Sequence, residues 1–332
     1  MVTLFHANNY VLPATLYKDG STAWAGFAMG YAGVEFFFVL SGFVMVFVHS
    51  ADFGQPERAG RFLRKRILRI YPLYWLVLSI LLAIYALESF TLGPAGASDP
   101  WLVLAAYLLW PLEDMHVMPL AWTLSHEMLF YLVFVVLIFS VRAGTAIFLV
   151  WMAGCFAGAV LAPLDWPRRF VFSPYNILFL FGMGAAAVWP KLGTGTARLI
   201  LCAGLAAFFT VGFSEVLGGW QWHEGLRTLA YGVGAAAMVA GLAGGALPVP
   251  KWLLLLGDAS YSLYLVHLPA MSLAVKLAHP LGAPWSLPPV VAIILVTAIA
   301  VITGVLVHLV VERPILSSAA RLAGPRTPRV AA

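Results

Sequence analysis

Four ionisable residues stand inside long apolar runs of this chain: His6, Glu35, Glu127 and His267. An ionisable group in lipid is costly, so each is a candidate for function. His6 lies in LFHANNY. A neutral imidazole can take a proton from a hydroxyl near neutral pH, which suits a general base. The alternative is a polar side chain satisfied by a neighbouring helix. Glu127 lies in AWTLSHEMLFYL, directly after His126. Adjacent helical positions point about 100° apart, so this pair shares no face. A zinc-binding H-E-x-x-H helix needs a second histidine at position 130, where Phe130 stands, and no metal is expected. Tyr131, four residues on, can hydrogen-bond Glu127. A carboxylate there can orient a base, bind a hydroxylated ligand, or be purely structural. Glu35 lies in GVEFFFVLSGFVM, with Ser41 and Gly42 as a small pair that lets helices approach; packing is the expected role of Gly42.

Two further stretches are dense in polar groups. RFLRKRILRIYPLYW, residues 61–75, crowds Arg61, Arg64, Lys65, Arg66 and Arg69 ahead of Tyr71, Tyr74 and Trp75. Arg66 and Arg69 are three residues apart and share a helical face, where two guanidiniums can clamp phosphates. The plainer reading is a topology anchor that binds anionic lipid. Pro72 is expected to mark entry into a span. GDASYSLYLVHLP, residues 257–269, holds Ser260, Tyr261, Ser262, Tyr264 and His267. So many hydroxyls in an apolar helix read as a polar lining or as interhelical contacts.

The elements that position these residues follow from composition. The chain has 332 residues, of which 62% are hydrophobic and only 10% charged. A soluble domain is roughly a quarter charged. The bilayer must therefore serve as solvent, and the fold class is all-α and polytopic. Ten spans are expected, at about 1–16, 29–49, 71–88, 120–140, 145–162, 173–189, 198–214, 228–246, 254–277 and 287–311. Residues 101–111 are apolar but half a span long, which suits a re-entrant or interfacial segment. The run 1–16 is too short to cross comfortably, and a truncated or misassigned start is expected. With both termini in the cytoplasm, most of the 19 basic residues fall on that side, against Lys18, Arg168, Arg169, Arg227 and Lys276 on the other. The net charge of +5 thus reads as membrane orientation, not nucleic-acid binding. Residues 1–316 form one membrane domain, and 317–332, rich in Ala, Arg and Pro, a disordered cytoplasmic tail. Cys155 and Cys202 make no metal or redox motif, and no phosphate loop, nucleophile elbow or dinucleotide fingerprint is present.

Six segments taken in order (LFH, GVEFFFVLSGFVM, RFLRKRILRIYPLYW, AWTLSHEMLFYL, GDASYSLYLVH and VERP) resemble the membrane acyltransferase family 3 along essentially the whole chain. The form without an appended domain is similar to exopolysaccharide and Nod-factor acetyltransferases. The resemblance implies an integral protein of a bacterial inner membrane. Its donor would be cytoplasmic acyl-CoA, by the same resemblance acetyl-CoA, and its acceptor an outer-face sugar hydroxyl, with no bound cofactor. It implies His6 as base and Arg66 and Arg69 as donor-binding residues. Tyr71 is placed with the donor, and Glu127 with His6 in catalysis. Glu35, Ser41, Trp122, Tyr261 and His267 are the candidates for acceptor binding. The family also carries an arginine about eleven residues before the histidine, which this sequence starts too late to contain. The rival reading is a transporter whose path runs through the buried His and Glu residues; it predicts broken helices in matching halves, and none is evident.

Overall fold

In the computed structural model of the protein, residues 1–16, 22–87, 96–113, 117–161, 164–278 and 287–322 are described, and every regular element among them is helical. The chain opens with α1, Val2–His6, which widens into a π-helix over Ala7–Leu16. A 3-10 turn over Ala25–Ala32 leads into α2, Gly33–His49. The remaining helices are α3 Pro56–Leu87, α4 Pro100–Leu108, α5 Ala121–Phe139, α6 Val141–Val160, α7 Arg168–Val171, α8 Tyr175–Val188, α9 Thr194–Val216, α10 Glu224–Gly244, α11 Lys251–Asp258, α12 Ser260–Ala278, α13 Pro289–Val307 and α14 Arg313–Leu322.

Among the described residues nine helices are long and apolar enough to cross a membrane. They match the expected spans after the first; the short opening run is not one of them. Their outward faces carry Leu76, Ile80, Leu149, Val150, Ile294 and Ile302, exposed apolar side chains that only lipid would cover.

Three expectations on boundaries are corrected. Pro72 does not begin a span but lies inside α3, whose 32 residues start at Pro56 with Glu57 in the first turn. Arg, Lys and Leu are strong helix formers, so the basic stretch continues the helix inward. At 1.5 Å per residue α3 is about 48 Å long, well beyond a bilayer's hydrocarbon core. The expected span 254–277 is broken at Ala259, between α11 and α12. The segment 317–322 is helical, part of α14, so the helix passes the expected boundary at 316; residues 323–332 lie outside the described residues.

The half-span keeps its expected shortness. Asp99 caps α4, accepting from the backbone amides of Trp101 (2.7 Å) and Leu102 (3.3 Å). At the other end the Leu109 amide reaches back to Ala106 (3.0 Å), and the carbonyls have capacity left over. Side chains of α3 use it: Tyr74 donates to Ala106 (2.7 Å), Trp75 to Tyr107 (2.8 Å) and Tyr71 to Leu108 (3.0 Å).

Two packing features set the site. The π-helical turn buries Ala7, Val11 and Leu12 against Met271 and Val275 of α12 and Ile293 and Val296 of α13. Asn8 ties the same turn to the returning chain, accepting from the Ala23 amide (2.9 Å) and donating to the Trp24 carbonyl (3.2 Å). Elsewhere α2 crosses α8 backbone against backbone. A Cβ on Gly42 would sit 2.1 Å from the Phe179 carbonyl oxygen, and one on Gly182 would sit 1.9 Å from that of Val39. Gly42 is thus a packing residue.

Gly182→Ala should therefore force the α2–α8 pair apart, at the ~1–3 kcal/mol typical of overpacking. Gly184, two residues on, has nothing within 4 Å of a built Cβ. Gly184→Ala should leave the melting temperature in detergent unchanged or raised, while Gly182→Ala lowers it by several degrees. Equal effects would refute the backbone contact.

Candidate active site

His6 sits at the end of α1, where the chain changes from α- to π-helix. Its Nδ1 lies 2.9 Å from Nε2 of His267, on α12, and the two rings are 5.0 Å apart. The hydrogen-bond pattern assigns the protons. Nδ1 of His267 faces the backbone carbonyls of Tyr264 (2.8 Å) and Leu263 (3.1 Å), both acceptors only, so it must donate. Nε2 of His267 is then an acceptor, and Nδ1 of His6 donates to it. The proton on Nδ1 leaves a lone pair on Nε2 of His6, the form a general base requires. His267 is only 1% exposed, whereas His6 is half-buried, so the paired ring is sealed and the reactive one is partly accessible.

A cavity of about 300 Å³ adjoins His267 and is walled by Val2, Phe37, Thr123, Tyr261 and Tyr264. Phe37 and Tyr264 lie parallel, 6.3 Å apart, and the Tyr264 hydroxyl meets Thr123 Oγ1 at 2.8 Å, tying α12 to α5. The cavity extends along α12 to Ser260 and Tyr261. The Arg69 guanidinium stacks 5.3 Å from the Tyr261 ring, so cavity and basic stretch meet at this tyrosine.

The two expected phosphate ligands are held by different partners. Arg69 pairs with Glu312, whose other oxygen accepts from Ser262 (2.6 Å) and lies 2.8 Å from His308. Arg66 lies 5.7 Å from the rings of both Phe62 and Tyr131 and donates to Nε2 of His49 (3.1 Å). Nδ1 of His49 meets Asp52 at 2.7 Å, and Asp52 also pairs with Arg58. Arg69 is thus neutralised directly by a carboxylate, while Arg66 rests on a neutral ring.

The other expected residues separate. Glu127 accepts from the Tyr131 hydroxyl, as its i+4 spacing suggests, with Ser41 Oγ at 3.5 Å. It makes no hydrogen bond to His6; His267 occupies that position instead. Glu35 is 1% exposed, and neither of its oxygens has a hydrogen-bond partner. It stands on α2 three residues before Phe38, whose ring meets Tyr175 and His126 at 6.0 Å. The hydroxyl of Tyr261 is occupied by the Ile70 carbonyl (2.6 Å) and that of Tyr71 by Leu108, because phenols held among helices must satisfy themselves on backbone. Both act as ties between helices. Trp122 lines a second cavity of about 440 Å³, with His126, Trp166, Arg169, Tyr175 and Glu224.

Two clusters escaped sequence reasoning. Glu312 could have been found from VERP, an acid at the end of an apolar run. The second joins Glu215 to Tyr31 (2.5 Å), Tyr231 (3.1 Å) and Arg227 (3.1 Å) across α9, α10 and the turn before α2. Its members are scattered singly through the sequence, and Arg227 reads there as a loop charge.

An imidazole pair, a cavity beside it and a basic helix end form an arrangement suited to moving a group between a polyanionic donor and a hydroxyl. The chain is 32% identical over 318 residues to the exopolysaccharide production protein ExoZ of Rhizobium meliloti (strain 1021), covering 87% of this chain and 90% of that protein. No solved structure matches it. Residues 1–308, which hold the imidazole pair and all of the Arg69 network but Glu312, match the family model described as an acyltransferase domain, and the chain belongs to that acyltransferase family.

Proposed function

We propose that the protein is an O-acyltransferase that moves an acyl group, acetyl by resemblance, from cytoplasmic acyl-CoA to a hydroxyl of an exopolysaccharide or lipid-linked sugar at the outer face of a bacterial inner membrane. The name of the Rhizobium relative supports the acceptor class. The contact between His6 and His267 carries the reading, because it leaves His6 Nε2 as a base one ring away from a cavity that His267 lines.

In this reading the acceptor hydroxyl donates its proton to Nε2 of His6 as its oxygen attacks the thioester carbonyl. The C–S bond then breaks, and the CoA thiolate takes the proton back from His6. The products are the acyl ester and free CoA thiol. During attack the His6 ring is cationic, and its Nδ1–H bond to the neutral Nε2 of His267 strengthens with that charge. His267 is therefore a positioning residue. The CoA phosphates meet the basic end of α3. Arg66, resting on neutral His49, has the larger share of uncompensated charge, and Arg69 is committed to Glu312. Glu127 is engaged by Tyr131 and Ser41 and takes no part in the proton transfer.

His6→Ala should lower acyl transfer by the ~10²–10⁴-fold that general-base help supplies. Near-normal glycan O-acylation in cells carrying that variant would end the base assignment. His267→Ala should cost turnover about 10²-fold, the scale of a misplaced catalytic group. His267→Gln, which keeps an acceptor toward Nδ1 of His6, should recover part of it. The KM for acyl-CoA should stay constant in both; a shift in KM alone would indicate a donor-binding role instead.

The two arginines should also behave differently. Losing a hydrogen bond to a charged group costs about 1.5–3 kcal/mol, so Arg66→Ala should raise the acyl-CoA KM by ~10-fold or more. Arg69→Ala should mainly lower thermal stability, by leaving the buried Glu312 carboxylate without its guanidinium. Equal KM effects would restore the two-arginine clamp.

A further inference from the structure

The larger cavity takes no part in the transfer described above, yet it is built like a binding site. Its volume of about 440 Å³ lies in the range of small-molecule clefts. Trp122, Trp166 and Tyr175 turn rings toward it, and His126, Arg169 and Glu224 add polar groups. The rings brace one another: Trp122 meets Tyr175 edge-on at 5.2 Å and His126 at 5.8 Å. The His126 ring is itself held. Asn176 donates to the Phe170 (3.2 Å) and Val171 (3.0 Å) carbonyls, which turns its Oδ1 toward Nδ1 of His126 at 3.0 Å. The Phe38 ring of α2 packs behind this wall, 6.0 Å from both Tyr175 and His126.

The lining comes from the α4–α5, α6–α8 and α9–α10 connections. Each span reverses direction, so these three lie on the side opposite the α2–α3 connection and its arginines. The cavity also shares the first turn of α5 with the one beside His267: Trp122 and His126 face one, Thr123 and Leu124 the other.

The chemistry of the walls selects the guest. A pyranose ring has an apolar C–H face, which stacks on an aromatic ring, and a rim of hydroxyls, which pair with guanidinium, carboxylate and imidazole groups. A fatty chain would leave the polar groups of His126, Arg169 and Glu224 unused. A nucleotide diphosphate would require more cations than Arg169 beside an acid. We propose that this cavity is a saccharide subsite, holding one sugar unit of the acceptor polymer remote from the hydroxyl that reacts. The inference rests on the transfer reading for the identity of the polymer, but binding here needs no acyl donor.

The test is binding without donor. The full-length protein in nanodiscs would be titrated with size-graded fragments of de-O-acylated exopolysaccharide from the host bacterium, by calorimetry. The wild type and His6→Ala should bind fragments of several sugars alike. Trp166→Ala and Arg169→Gln, both at the accessible rim, should weaken that binding at least 10-fold and leave the acyl-CoA KM unchanged. Wild-type-like binding by both rim variants, or no binding by the wild type, would overturn the subsite. Retained binding together with absent thioester consumption would instead sink the transfer reading and leave the subsite standing.

Discussion

Within a bilayer a polar side chain finds its partners in the protein or not at all. That constraint makes the imidazole pair informative. His267 is hemmed by two backbone carbonyls on one nitrogen, and this choice propagates to His6. A loop of helix carbonyls thus decides which nitrogen of a residue some 260 positions away holds its lone pair. The same rule accounts for the tyrosines. Tyr71, Tyr74 and Tyr261 all donate to backbone carbonyls on other helices, and each such bond replaces water that the lipid cannot supply.

Much of the architecture was legible because the bilayer imposes a length and an apolarity that composition reveals directly. The spans from α5 to α10 fall within a few residues of the apolar runs that announce them. Interruptions were harder. Pro72 reads as a boundary and Ala259 does not, yet α3 continues through the first while the chain breaks at the second. Tertiary contacts, such as the Tyr261 bond to Ile70, hold the helices at that place, and no local pattern encodes them.

The site was legible by residue type and not by partnership. His6, Glu35, Glu127 and His267 stand out because an ionisable group in an apolar run is conspicuous. Which of them meet was hidden, since His6 and His267 come together only when the first and twelfth helices pack. The i+4 relation of Glu127 and Tyr131 could be read, being local. Arg66 and Arg69 share a helical face, as their spacing implies, but spacing says nothing of His49 or Glu312, which engage one each. Charge compensation is a property of neighbours, and the neighbours come from other helices.

The α2–α8 crossing has a wider consequence. Where two helices touch through carbonyls there is no layer of side chains to shear, so the pair behaves as one rigid plate. Val34 and Phe37 on one edge of that plate wall the chamber near the imidazoles; Tyr175, at the start of the other helix, walls the aromatic one. The distance between the two chambers is therefore fixed by backbone, like the marks on a ruler. A repeating polymer lying across both would be decorated at a constant interval from the sugar that anchors it, and position along the chain, more than the identity of any single hydroxyl, would set where the mark falls.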